Sequence, residues 1–339
     1  MKMYDNLYPS DYRFKYPKAG EDNAKVSVKI YQLNEMKVLD IDLGVYYEYL
    51  TSIQWSEDPN YLAVMSSNRH QNELHINLVD AEKGSSKVVH TEQSDTYIEM
   101  PFEVYFTKDK KHFVIQSEKS GFRHLYLHTI EGKLKNQITS GDWPVTNLYG
   151  VDDENGLVFY QAAEKSPLDR NVYSIGLDGT NKKRLSLKDG TNRAAFSKSF
   201  AYFINYHSTA NTPSYITLKD SKGKEIRVLK DNEKLNAILK EYQISPKEFF
   251  QFTTSDNVTL NAWMIKPHNF DKSKKYPVLL TIYGGPGSQT VTNSWGGSNY
   301  FWHQLMAQKG YIVVSVDNRG TGARGVDFKK ITYKQLGKY

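Results

Sequence analysis

One short stretch of the sequence has the residue types and spacing to hold an anion. Tyr283 is followed by Gly284-Gly285-Pro286-Gly287, and the apolar run Val278-Leu279-Leu280-Thr281-Ile282 leads into it. The run reads as a buried strand and the glycines as a tight turn at its C-terminal end. A turn in that position presents backbone N–H groups to an anion. The competing reading is that Tyr283 only packs at a strand end and the glycines only turn the chain. The motif alone weighs the two equally.

Other chemistry-bearing patterns are weaker. The glycine turn lacks the Lys-Ser/Thr of G-x-x-x-x-G-K, which argues against a phosphate loop. "GTGARG", residues 320 to 325, fits G-x-G-x-x-G by spacing and follows an apolar run, yet no distal acidic residue completes a dinucleotide site. Asp317, Asn318 and Arg319 just before it read as structural. His70, His75, His124 and His128 are scattered, and no H-E-x-x-H pair exists, so metal ligation is not expected. Arg123 in "GFRH" reads as a packing residue that bonds across neighbouring elements or reaches a central cavity. No cofactor is expected.

Composition narrows the classes further. The chain has 339 residues and no cysteine, which excludes disulfides, a thiol nucleophile and thiolate metal sites. The formal charge of +6 is spread along the chain among Asp and Glu, and no basic run suggests nucleic-acid binding. No stretch is long and apolar enough to span a membrane, and the first twenty residues lack the apolar core of a signal peptide. The 25 tyrosines and 15 phenylalanines fit many short strands, since aromatic side chains suit a half-buried pleated surface.

The elements that must carry these residues show a repeat. "VKIYQLN", "LHINLVD", "HLYLHT", "NVYSIG" and "YITLKD" place Ile30, Ile76, Leu125, Val172 and Ile216 at equivalent positions, with steps of 46, 49, 47 and 44 residues. Each is followed by a polar turn. An anchor recurs upstream as Trp55-Ser56, Phe106-Thr107, Val151-Asp152 and Phe196-Ser197. Three or four short strands per unit at this period are the signature of β-propeller blades. Four units look complete between about residues 51 and 232, and residues 20 to 50 carry part of another. A β-sandwich is the runner-up, but a sandwich need not repeat.

After Asn232 the pattern changes. "EKLNAILKEYQI" puts Leu235, Ile238, Leu239 and Tyr242 on one helical face. "FFQFTTSDNVTLNAWMIKP" reads as a hairpin turning at Asp256-Asn257. A buried strand with its glycine turn, a helix over "YFWHQLMAQKG" and a second buried strand, "YIVVSVDNRG", describe the start of a parallel α/β sheet. The expected fold is mostly β. Residues 1–232 form a partial β-propeller, 233–246 a helical linker and 247–339 the first elements of an α/β sheet, which the resemblance below implies is the N-terminal part of an α/β-hydrolase domain.

"YPVLLTIYGGPGSQ", "YIVVSVDNRGTGARG" and "LGKY" after such blades resemble the prolyl oligopeptidase superfamily of serine peptidases. "YPKAGEDN", "DPNYLAVMSSNRHQNE", "SGFRHLY" and "TSGDWPV" are similar to its dipeptidyl peptidase IV branch. The resemblance covers the whole chain. It implies a Ser-Asp-His triad with the serine in a G-x-S-x-G elbow. No serine here fits: Ser298 follows Gly296 by two but precedes Tyr300 by two, Ser86 precedes Val88, and Ser288 follows Pro286. In the family the triad lies beyond the "LGKY" stretch, and the paired acidic residues that hold the substrate amine lie before "YPKAG". The chain is therefore expected to be an internal fragment, inactive alone.

The same resemblance gives Tyr283 a role, that of an oxyanion-hole donor through its hydroxyl. It implies an exopeptidase that releases N-terminal Xaa-Pro or Xaa-Ala dipeptides when intact. The partner is a peptide with a free N-terminus, with a homodimer and a periplasmic or secreted location for the intact protein. The alternatives are another branch, an acylaminoacyl peptidase or endopeptidase, and a non-catalytic propeller binding protein. The upstream acidic pair and a downstream G-x-S-x-G separate them.

Overall fold

Four of the five repeat positions fall on the third strand of a four-stranded antiparallel sheet. A computed structural model describes every residue except Met1, Pro17, Pro101 and Phe102; Pro17 of "YPKAGEDN" thus lies outside the described residues. The chain divides into two compact units, Met1–Ile98 and Glu99–Tyr339.

In the first unit, β1 (Lys2–Met3) pairs with β2 (Ser10–Asp11), and β3 (Lys29–Gln32) with β4 (Lys37–Asp40). A meander follows: β5 (Tyr49–Trp55), β6 (Tyr61–Ser67), β7 (Glu73–Asp80) and β8 (Ser86–Gln93). Val28, Ile30, Ile41 and Leu43 share a core with Leu62, Val64 and Val79 of that sheet. Ile30 therefore belongs to a two-stranded ribbon, as its incomplete repeat predicts.

The second unit opens with three more meanders. They are β9 (Val104–Phe106), β10 (His112–Ser117), β11 (His124–Thr129) and β12 (Leu134–Gln137); β13 (Val145–Asp152), β14 (Leu157–Ala162), β15 (Asn171–Gly176) and β16 (Lys183–Arg184); and β17 (Thr191–Phe196), β18 (Tyr202–Thr209), β19 (Thr212–Asp220) and β20 (Glu225–Lys230). These are propeller-type sheets, open rather than closed into a barrel. The recurring anchors end the first strand of each sheet. The N–H of Ser56, Thr107 and Ser197 donates to the carbonyl of Tyr61, His112 and Tyr202 at 2.9 to 3.0 Å, closing the same hairpin three times. After the third strand, the carboxylates of Asp80, Asp178 and Asp220 accept backbone N–H groups two residues on, which is why acidic residues recur there.

Each blade alone has too little apolar surface to be stable, so neighbours share cores. Val114, Leu125 and Leu127 pack with Val145, Val158 and Tyr160 of the next sheet. Phe159 and Val172 pack in turn with Ala194 and Phe203. Burial of each such side chain stabilises by about 1.5–3 kcal/mol.

The chain then forms α1 (Glu233–Glu241) and a mixed sheet of β21 (Lys247–Thr253), β22 (Thr259–Ile265), β23 (Val278–Leu280) and β24 (Ile312–Val316), in the order β21-β22-β24-β23. The helices α2 (Ser298–Gln308) and α3 (Val326–Lys330) flank β24 in sequence. The β21–β22 hairpin turns where predicted, with Asn257 in the left-handed region at φ 61°. Three details differ from expectation. Only the β23–β24 pair is parallel; β22 runs antiparallel to β24. β23 is a three-residue edge strand rather than a fully buried one: Val278 and Leu280 are 60% and 56% exposed, while Leu279 packs against a core of Trp263, Ile265, Val291, Ala307 and Val313. Adjacent residues of a strand face opposite ways, and only the Leu279 face is covered. Finally, α1 has no fully buried residue: Leu235 and Leu239 are half-buried, and Ile238 is exposed.

Candidate functional site

The glycine turn after β23 is fixed by the turn that follows β24. Thr281 N–H donates to Val314 O at 2.9 Å, extending the parallel pairing by one residue. Gly287 N–H donates to Gly320 O at 2.7 Å. A Cβ on Gly322 would stand 2.6 Å from Gly287 O, so only glycine lets these two turns approach so closely. "GGPG" and "GTGARG", separate motifs in the sequence, thus form one double turn at the ends of two parallel strands. That is where open α/β sheets bind ligands.

Tyr283 stands at the entrance to this double turn. It is 59% exposed, with its ring beside Gly285, where a Cβ would meet Cε1 at 2.9 Å. The hydroxyl is free of hydrogen bonds to described residues and remains available as a donor.

Asp317 holds the segment behind the turn. Its buried carboxylate accepts the N–H of Thr290 at 2.7 Å and of Val291 at 3.1 Å, and its own N–H donates to Asn261 O at 3.0 Å. The structural role predicted for it is what these bonds describe. Arg319 pairs with Asp256 of the β21–β22 turn, and Asn318 donates to Arg319 O at 2.5 Å. His124 is buried, bonding Thr139 Oγ1 at 3.0 Å and Gly141 O at 2.9 Å with its ring edge-on to Trp143. Burial pushes its pKa down, against the opposing effect of Gly141 O, so it is a packed neutral imidazole. No group of three metal-ligating side chains exists among the described residues.

Beside the double turn lies a cleft of about 180 Å3 that the motifs did not announce. Gly287, Gln289 and Gly322 form one side, and Phe122, Arg123 and Thr146 of the blades the other. "SGFRH" is brought there by close backbone packing. Val326 N–H donates to Gly121 O at 2.8 Å, and a Cβ on Gly325 would stand 2.9 Å from the Phe122 ring. Gln289 stitches the two sides, donating to Pro167 O at 3.1 Å and accepting from Arg170. At the rim, Lys329 bridges Glu99 at 2.6 Å and Glu118 at 2.5 Å, and Lys330 meets Glu118 at 3.0 Å. Burial pushes the Glu118 carboxyl up, but the two ammoniums outweigh it and hold its pKa below the usual range. Sequence reasoning passed over Arg170, Gln289, Glu118 and Lys329, because single polar residues in strands and turns carry no periodic signal. The glycines of "GTGARG" were the one usable hint.

Blade-type meanders followed by a mixed sheet, with a double glycine turn at the ends of its parallel strands, define a propeller chain that continues into an α/β domain. The chain belongs to the dipeptidyl peptidase IV branch of the prolyl oligopeptidase family: residues 1–214 match the dipeptidyl peptidase IV N-terminal region, and residues 298–339 match the prolyl oligopeptidase family. It is 29% identical over 350 residues to the probable dipeptidyl peptidase 4 of Emericella nidulans, covering 98% of this chain and 45% of that protein. It is 31% identical over 357 residues to the probable dipeptidyl-aminopeptidase B of Aspergillus clavatus, covering 98% and 38%. The crystal structure of Porphyromonas gingivalis dipeptidyl peptidase 4 superposes with a TM-score of 0.93 at 42% identity, over all of this chain and 48% of that one. The chain spans about half the length of the relatives it matches, or less. No helix among the described residues is long and apolar enough to cross a membrane.

Proposed function

We propose that this chain is the substrate-gathering and oxyanion-donating part of a serine exopeptidase that releases dipeptides from free peptide N-termini, with Pro or Ala in the second position. The observation that supports this most is the match along its whole length to the Porphyromonas gingivalis dipeptidyl peptidase 4, at 42% identity. On this reading residues 1–232 belong to the propeller, 233–246 link, and 247–339 begin the hydrolase domain. The intact protein would be a homodimer in the periplasm or outside the cell.

Tyr283 is the residue of this chain assigned to the chemistry. Attack on the scissile amide places negative charge on the carbonyl oxygen, and a positioned donor stabilises that charge by about 3–4 kcal/mol. An exposed tyrosine hydroxyl with no competing acceptor, on a turn braced by the Gly287–Gly320 bond, has the freedom and the rigidity for this. The nucleophile, its histidine and its aspartate are to be sought in the half of the relatives that this chain does not span. Placing this sequence in the Porphyromonas gingivalis enzyme in exchange for its matching stretch, so that the upstream acidic pair and the downstream triad are both supplied, tests the reading. Release of chromophore from an Xaa-Pro anilide, blocked by a serine-directed phosphonate, is expected. A folded chimera without turnover would refute it.

A further inference from the structure

The cleft beside the glycine turns has an uncompensated charge. Arg123 is half-buried on its wall, and its guanidinium has no hydrogen bond or ion pair to any described residue. Its backbone is nevertheless fixed: Val145 N–H donates to Arg123 O at 2.8 Å, and the next residue, His124, is bonded at both ring nitrogens. The two carboxylates that line the cleft are already matched, since Glu99 and Glu118 are taken up by Lys329 and Lys330. Arg170, also on the lining, donates to Pro167 O and Asp169 O at 2.9 Å each and to Gln289 Oε1. These are neutral acceptors, and they use three of its five N–H donors. The nearest carboxylates in its field are Asp169 and Asp317. Asp169 accepts from Gly190 N–H and Asn293, Asp317 from Thr290 and Val291.

We propose that this cleft binds a carboxylate, with Arg123 as its principal partner and Arg170 beside it, and that the carboxylate belongs to a bound peptide. A guanidinium presents a planar fork that fits a carboxylate with two parallel bonds. A peptide source follows from position and rests on the peptidase reading: Gly287, which lines the cleft, is four residues from the proposed oxyanion donor Tyr283. The group recognised is a C-terminal carboxylate or an acidic side chain of a short substrate. The Arg123 side chain holds no structural bond, so its removal leaves the fold intact.

Isothermal titration of the 339-residue chain at low salt tests this with three probes: Ala-Pro-Asp, its neutral counterpart Ala-Pro-Asn-amide, and succinate. We expect Ala-Pro-Asp to bind at least roughly tenfold more tightly than the amide. R123Q should abolish that preference with an unchanged melting temperature, and R123K should keep part of it. Equal affinity for the two peptides, or a preference that survives R123Q, would overturn the site. Succinate binding as tightly as Ala-Pro-Asp, and lost in R123Q, would keep the carboxylate site while removing the peptide as its source. A chimera that fails to hydrolyse anilides while this preference holds would separate failure of the peptidase reading from failure of the site.

Discussion

A Cβ on Gly322 would lie 2.6 Å from the carbonyl oxygen of Gly287, closer than a real side-chain carbon approaches a backbone atom. The glycine at 322 therefore sets the separation of the two turns and, through Gly287, the bearing of the Tyr283 turn. Gly322→Ala should force the turns apart and destabilise the unit by about 1–3 kcal/mol. Chemical denaturation of the chain measures this. Wild-type stability in the variant would mean that the turns are not held at contact.

The same packing makes the ion cluster at the cleft rim testable. The side chains of Lys329 and Lys330 are only 10% and 5% exposed, and Glu118 is the carboxylate they share. Glu118→Ala removes the carboxylate that the two buried ammoniums share, so a loss of roughly 3–5 kcal/mol is expected. The pH dependence has a definite sign. The folded pKa of Glu118 lies below its unfolded value, so its contribution is present above the ordinary glutamate range and fades as pH falls through the depressed folded value. Urea melts of wild type and Glu118→Ala between pH 7 and pH 3 should converge toward the acid end. Parallel curves would contradict the pairing.

Lys247 behaves in the opposite way. Its ammonium lies 4.5 Å from the centre of the Trp263 ring, and the His303 ring lies 5.3 Å from that indole. Burial pushes its pKa down to about 8. The unfolded chain binds this proton more tightly, so stability rises with pH between about 8 and the free lysine value near 10.5. Lys247→Met should stabilise the chain at pH 7 by at most roughly 3 kcal/mol, less whatever the cation–π contact supplies. The advantage should shrink toward pH 10. Thermal melts of both proteins across that range decide it, and a variant less stable at pH 7 would show that the Trp263 contact outweighs burial.

Much of the fold was legible because repetition amplifies weak signals. Single strands such as "NVYSIG" are ambiguous alone, but Ile76, Leu125 and Val172 recur at matching steps, and each proves to be a buried third-strand residue. The helix and hairpin after residue 232 were legible from period and turn chemistry. What the pattern could not supply was coverage. Val278 and Leu280 read as core because they are apolar, yet an edge position leaves their face open. Leu235, Ile238 and Leu239 likewise form a stripe that the structure covers only in part, with Ile238 exposed. The candidate site was half legible. Tyr283 and its glycines stood out locally, whereas Arg123 and Gln289 line one cleft only because two turns and a blade loop converge, and no local spacing encodes that.

The central claim is that Tyr283 donates its hydroxyl to the oxyanion of the reaction. Tyr283→Phe removes that single oxygen and keeps the ring that packs beside Gly285. Steady-state kinetics on an Xaa-Pro anilide, with the sequence exchanged for its matching stretch in the Porphyromonas gingivalis enzyme, measure its effect. A fall in kcat of about 100- to 1000-fold with KM and melting temperature little changed is the predicted result. A kcat within a factor of two or so of the parent would contradict it.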